Sequence, residues 1–318
     1  MTQFLYIASQ DVSGGILRCS LSPEGRLDTV GFYPLDRPAY LCSEGDRLYA
    51  LLREPFQMQS GVAEFHILPD GSLEQVGEIH PVHGTISAHI FARDGRIYTA
   101  NYLSGTTTLL PDRLLAHNGR SVDPDRQTCS HPHCITPTPD GNYLCINDLG
   151  TDCIYVCTMD LKEISRVSVP AGSGPRHLVF SPDGKTAYCS NEMGASVSVF
   201  SYREGQLTPV GQYSTCPQDY TGWISASAIR ISPEGDRLYV SNRGHNSAAI
   251  FDVEGTVLKN RRFLQVGGDS PREMTIAGDF LLFGNENSHT VTVFSRKTEE
   301  YLSTFPVTRP WCILPAER

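Results

Sequence analysis

Three observations predict an all-β ring of seven four-stranded antiparallel blades, a seven-bladed β-propeller. One short pattern recurs along the chain: FLYIASQ (4–10), RLYALLR (47–53), RIYTANY (96–102), NYLCIND (142–148), TAYCSNE (186–192), RLYVSNR (237–243) and FLLFGNE (280–286). Their last residues, at 10, 53, 102, 148, 192, 243 and 286, stand 43, 49, 46, 44, 51 and 43 positions apart. A period in the forties with several short strands per unit is the signature of propeller blades. A turn repeats with the pattern: Glu44-Gly45, Asp94-Gly95, Asp140-Gly141, Asp183-Gly184 and Glu234-Gly235, with the order inverted at Gly278-Asp279. Lastly, no long stretch shows a 3.6-residue apolar period, so helix should be nearly absent. Seven such units account for the whole chain, and residues 1–318 read as one domain.

The fifth unit shows the elements most clearly. Its first strand covers Arg176–Phe180, and Ser181-Pro182-Asp183-Gly184 supplies the turn chemistry. The second strand covers Thr186–Asn191, a loop follows at Glu192–Ala195, and the third strand covers Ser196–Phe200. Alternating Val, Leu, Phe and Tyr favours extended chain in each. Third strands recur as GGILRCSL, DCIYVCTM, SAAIFDV and TVTVFSR, and weaker fourth strands as EISRVSV and LTPVGQY. The second unit reads as truncated. The first opens directly on its second strand, and Arg309-Pro310-Trp311-Cys312-Ile313-Leu314 reads as the missing first strand. The C-terminal strand should therefore pair with the N-terminal one and close the ring, leaving no exposed sheet edge. Residues 104–131 are the least regular stretch, expected to be a long loop or an embellished outer strand overhanging one face.

Composition excludes several function classes. A formal net charge of −9 with no long basic run argues against a nucleic-acid partner. No 18-residue apolar run is present, so no membrane partner is expected, and MTQFLYIASQ lacks the basic start and long apolar core of a signal peptide. The ten cysteines include no CxxC pair, and Cys19, Cys42, Cys145, Cys157 and Cys189 sit among apolar strand residues, as reduced, buried thiols do. A cytoplasmic protein without metal or cofactor, a monomer or weak homo-oligomer, is the expectation.

Hairpin geometry locates a candidate site. Arg176 precedes Asp183 by seven residues and Glu192 follows Gly184 by eight, so a hairpin folded at that turn brings Arg176 and Glu192 together at its open end. The same argument in other units brings His131, His133, Asp148, His177, Ser227, Arg243, His245, Arg272, Glu286, Gln10 and Arg53 to one face near the axis. A charged residue after a strand is more often a solvated loop residue, and Asp148 and Glu286 taken singly read that way. Arg53 reads as scaffold or surface, and the asparagines at 101, 147, 191, 242 and 285 as caps of loop backbone. Arg176, Glu192 and Arg243 converge independently and carry the functional reading. Arginine clamps carboxylate or phosphate, while His and Glu exchange protons, so a small anionic substrate suits this mouth.

HPHCITPTPDG, GPRHLVFSPDGKTAYCSNE, SPEGDRLYVSNRGHNS and SPREMTIAGDFLLFGNEN resemble successive blades of the seven-bladed propeller lactonase family. That family includes bacterial propeller-type 6-phosphogluconolactonases and fungal carboxy-cis,cis-muconate lactonising enzymes. The resemblance is specific over roughly residues 130–315 and only architectural over the first 100; SASAIR in the sixth unit departs from a more acidic first strand. It implies a metal-independent hydrolase of a small anionic lactone, most readily 6-phosphogluconolactone of the pentose phosphate pathway. It assigns catalysis to His133 (or His131), Arg176, Glu192 and Arg243. His131, Asp148, His177, His245, Arg272 and Glu286 are the expected substrate-binding residues, with Arg272 a candidate for the substrate phosphate. Alternatives are muconate cycloisomerisation, a non-catalytic binding platform, and a calcium-dependent lactonase using Glu192 and the asparagines.

Overall fold

The computed structural model describes residues 2–316. It contains seven four-stranded antiparallel sheets, and among the described residues there is no helix. None is therefore long and apolar enough to cross a membrane. The first strands of blades one to seven are Pro310–Pro315, Pro38–Glu44, Ser87–Arg93, Pro132–Pro137, Pro175–Phe180, Ser225–Ile231 and Pro271–Ala277. Each touches the first strands of its two neighbours, so together they form a closed circle around the axis. As the sequence predicts, the ring closes by pairing Pro310–Pro315 with Gln3–Ser9, with Ile313 opposite Ile7.

The apolar faces of these strands meet between blades. Seven clusters of buried side chains lie at the seven blade junctions; Tyr188, Val197 and Val199 of blade five, for example, pack on Ile229, Leu238 and Val240 of blade six. Each fully buried large apolar side chain contributes about 1.5–3 kcal/mol relative to exposure. Recurring second-strand tyrosines add a polar tie: the Tyr6, Tyr98 and Tyr188 hydroxyls donate to the carbonyls of Gly71, Met159 and Gly255 in the next blade.

Blade two is complete, contrary to its truncated appearance in the sequence: Arg47–Phe56, Gln59–Ile67 and Leu73–Thr85 follow its first strand. Its middle hairpin turns at Gln57-Met58, both at positive φ, instead of at a glycine, which hides the turn from a residue-type reading. The irregular stretch resolves into strands Thr106–Leu109 and Arg113–Ala116, followed by a strandless loop over 117–131. The asparagines near the ends of the second strands are buried; Asn101, Asn191 and Asn285 brace the third strands, while Asn147 donates to Cys189 Sγ and Asn242 to the Thr215 carbonyl. Asn101 donates to Thr106 and Thr108 at 3.0 and 2.8 Å, and Asn191 to Ser196 and Ser198 at 3.0 and 2.9 Å.

Candidate active site

A local irregularity repeated around the ring builds the site. The first strand slips register against the second between Pro38 and Tyr40, Ser87 and His89, Pro132 and Cys134, Pro175 and His177, and Pro271 and Glu273. In blade one the same slip passes over Trp311. A bulged residue leaves the ladder and its side chain is re-aimed. Here the six skipped residues, Ala39, Ala88, His133, Arg176, Arg272 and Trp311, all line one axial cavity of about 370 Å³.

The ends of the second strands supply the rest of the wall: Arg53, Tyr102, Glu192 and Arg243, all at the aligned last position of the repeated pattern. Arg126 arrives from the 117–131 loop. The Asp123 side chain accepts the Arg126 backbone N–H at 2.7 Å, and the Gln127 amide donates to the Leu149 carbonyl at 2.8 Å, which pins the loop over the mouth.

Glu192 stands at the electrostatic centre. Its Oε2 is 3.1 Å from Arg176 Nε and 3.0 Å from Arg243 Nη2, and its Oε1 is 2.8 Å from Arg126 Nη2. Burial opposes its ionisation, but Arg243 and Arg176, helped by the Arg126 hydrogen bond, hold its carboxyl well below the usual carboxylate range. A carboxylate so firmly ionised is a weak proton acceptor and a strong organiser of guanidinium groups.

The imidazoles behave oppositely. Burial, reinforced by Arg176, pushes His133 well below its ordinary value. Burial followed by Arg176 and His133 does the same to His177, and His89 is pushed down to about 3 by burial and then Arg230. These rings are neutral at neutral pH. His133 packs 5.4 Å from His177 between ring centroids, and its Nδ1 is buried with no hydrogen-bond partner. Arg272 is drawn down to about 9, first by burial and then by Arg176 and Arg243, and stays charged.

Of the residues expected from the sequence, the fold gathers His133, Arg176, His177, Glu192, Arg243 and Arg272 on the cavity wall. Four others lie off the cavity wall. His131 stacks on Tyr102 at 4.4 Å and its Nδ1 donates to the Tyr102 carbonyl at 2.8 Å. Asp148 is fully buried because the backbone N–H groups of His131 and Gly150 need an acceptor, which it supplies at 2.7 and 3.0 Å. His245 bonds Ser247 at 2.7 Å and packs on Tyr220. Glu286 lies behind the wall, 3.0 Å from Arg309 and 3.7 Å from Arg272. Of the HPH pair, His133 is the one that faces the cavity.

Arg53, read from the sequence as scaffold or surface, lines the cavity, as do Tyr102, Arg126 and Trp311. Two signals could have found most of them. Residues 53 and 102 share the aligned position of Glu192 and Arg243. Trp311 follows a strand-opening proline, as His133, Arg176 and Arg272 do; proline has no N–H for the ladder and suits a bulged opening. Arg126 has no such signal. The calcium reading does not fit the donors: Glu192 is encircled by guanidiniums, no asparagine lines the cavity, and among the described residues no three His, Cys, Asp or Glu gather as ligands.

Comparison with known proteins places this architecture. The profile described as "Lactonase, 7-bladed beta-propeller" matches residues 4–314. An uncharacterised Staphylococcus epidermidis protein is 32% identical over 306 residues, covering 89% of each chain. A Lactobacillus plantarum crystal structure superposes with a TM-score of 0.91 at 30% identity over the whole of both chains. A Bacteroides fragilis structure described provisionally as a 6-phosphogluconolactonase gives 0.89 at 27% identity, covering 99% of this chain and 98% of that one. The periplasmic gluconolactonase of Pseudomonas aeruginosa gives 0.89 at 26%, covering 100% and 99%. The repeat, the closed ring and these matches agree: the chain belongs to the seven-bladed β-propeller lactonase family and is a hydrolase of that kind.

Proposed function

We propose that the protein hydrolyses a small anionic sugar lactone, with 6-phosphogluconolactone the first candidate. The observation that carries the reading is the pairing, in one cavity, of an unpartnered neutral imidazole on His133 with an arginine cluster fixed by Glu192. Water attacks the lactone carbonyl while the His133 imidazole takes one of its protons. The oxyanion that forms faces Arg176 and Arg243, where preorganised charge is worth most. When the intermediate collapses, the ring C–O bond breaks and the departing alkoxide recovers the proton from the imidazolium, leaving a hydroxy acid whose new carboxyl releases its proton to solvent. Glu192 stays ionised throughout and keeps the two guanidiniums aimed. An anionic substrate offsets the positive field that depresses His133, so binding itself raises the basicity of the group that must act.

A cytoplasmic location belongs to the same proposal. The ten cysteines are free thiols, which suits a reducing compartment, whereas the Pseudomonas relative is periplasmic.

The test is turnover of 6-phosphoglucono-δ-lactone, with and without EDTA, corrected for spontaneous ring opening. Wild type should exceed background and ignore EDTA, and His133→Asn should lose at least ~100-fold in kcat. Loss below threefold would remove His133 from the chemistry. Consumption of carboxymuconate without lactone hydrolysis would favour the cycloisomerase, and inactivity on both a binding platform.

A further inference from the structure

The proposed chemistry uses the wall built by blades four to six. Across the ring, blades one, two and seven contribute Trp311, Arg53 and Arg272, and nothing in the hydrolytic step accounts for this group. Trp311 is 7% exposed, with the Arg272 guanidinium carbon 4.0 Å from its ring centre and that of Arg53 at 5.2 Å. Two donors here are buried without an acceptor: Arg53 Nε and the Trp311 indole N–H. Glu286 senses the indole but does not meet it in hydrogen-bond geometry.

The charges around the cavity are unbalanced in the same place. Its lining holds five arginines (Arg53, Arg126, Arg176, Arg243, Arg272) against two glutamates. Glu273 is hydrogen-bonded to Arg230, and Glu192 is shared among Arg126, Arg176 and Arg243. Among the described residues Arg53 makes no ion pair and senses Glu54 and Glu286 only from a distance, while Arg272 has the Glu286 carboxylate at 3.7 Å, shared with Arg309. Buried guanidiniums are costly unless an acceptor completes them.

We propose that Arg53 and Arg272, held over the Trp311 ring, form a second anion subsite that takes the phosphate ester of the substrate, and that this subsite selects phosphorylated over unphosphorylated lactones. Arg53 and Arg272 both line this side of the cavity, and two guanidinium forks match the three terminal oxygens of a phosphate ester better than the two of a carboxylate. Its charge of nearly two matches the pair of arginines. The inference rests on the lactonase reading and adds to it the residues that decide between phosphorylated and plain sugar lactones.

Two measurements test it. The chain has two tryptophans, so Trp223→Phe, which alters an exposed side chain, leaves Trp311 as the sole indole fluorophore. Titrating that protein with inorganic phosphate should give a saturable change in emission, and adding Arg53→Met should weaken phosphate at least ~10-fold, the scale of one charge-assisted contact. No spectral response, or a response insensitive to Arg53→Met and abolished by Arg243→Met, would overturn the subsite. In kinetics, the ratio of kcat/KM for 6-phosphogluconolactone to that for gluconolactone should fall ~10-fold or more in Arg53→Met, mainly through KM. An unchanged ratio in a variant with wild-type near-ultraviolet circular dichroism would refute it. If the wild type hydrolyses neither lactone, the lactonase reading fails, and the phosphate titration still decides the subsite by itself.

Discussion

Replacing Glu192 with glutamine removes one negative charge and leaves its size almost unchanged, so the effect isolates electrostatics. Three guanidiniums lie within 3.1 Å of that carboxylate, and the Arg176 side chain is only 3% exposed. At such distances a charge pair is worth about 4 kcal/mol at an effective dielectric constant near 20. Much of the three-pair sum is spent on desolvation, and breaking a buried pair by removing one partner costs a net of about 3–5 kcal/mol. In a chain of this size each kcal/mol shifts the melting temperature by roughly 1.5 °C, so Glu192→Gln should melt about 4–8 °C below wild type. Turnover should fall by at least ~100-fold, because Arg176 and Arg243 lose their common anchor. The loss should be the same across pH 5–8, since the carboxyl is held far below that window. Thermal melts and kcat against pH on the same preparation supply both readings. A variant that melts within 2 °C of wild type, or regains activity as the pH changes, would refute an electrostatic anchor and return Glu192 to proton transfer.

Other outcomes follow from the same geometry. Arg126→Ala removes the one guanidinium brought by the 117–131 loop, half-exposed and hydrogen-bonded to Glu192 and Tyr102. It should cost about 10-fold in kcat/KM with less than 1 kcal/mol in stability, read by kinetics beside a urea titration. His89, His133 and His177 are held neutral in the fold, whereas in the unfolded chain they bind protons below about pH 6.5. The unfolded state therefore gains protons first as the pH falls, and stability declines from pH 6.5 toward the depressed folded values by up to about 1.4 kcal/mol per pH unit per histidine. Melting temperature should drop between pH 6.5 and 5, less steeply in His89→Phe, and a flat profile would show that these rings titrate normally. Deleting residues 309–318 strips blade one of its first strand and exposes the edge at Gln3–Ser9. Size-exclusion chromatography should then show aggregation instead of the wild-type peak.

The repeat, the acidic-Gly turns and the missing first strand were legible in the chain because each is local: a strand of half a dozen residues and a two-residue turn carry their own pattern. Their period alone determined the number of blades and the way the ends meet. The approach of Arg176 to Glu192 was legible for the same reason, since one hairpin register sets it. What faces the axis was decided only when the ring closed. Asp148 and Glu192 occupy equivalent positions, yet one turns back to cap loop N–H groups while the other meets three arginines from blades five and six and a distant loop. Arg53 and Trp311 lie 258 positions apart in sequence (311 − 53) and share a wall only because the last strand returns to the first blade. Local pattern specifies strands and turns through backbone preference and alternating burial. The character of a cavity on the axis is a sum over side chains from every blade, and no single stretch of sequence contains it.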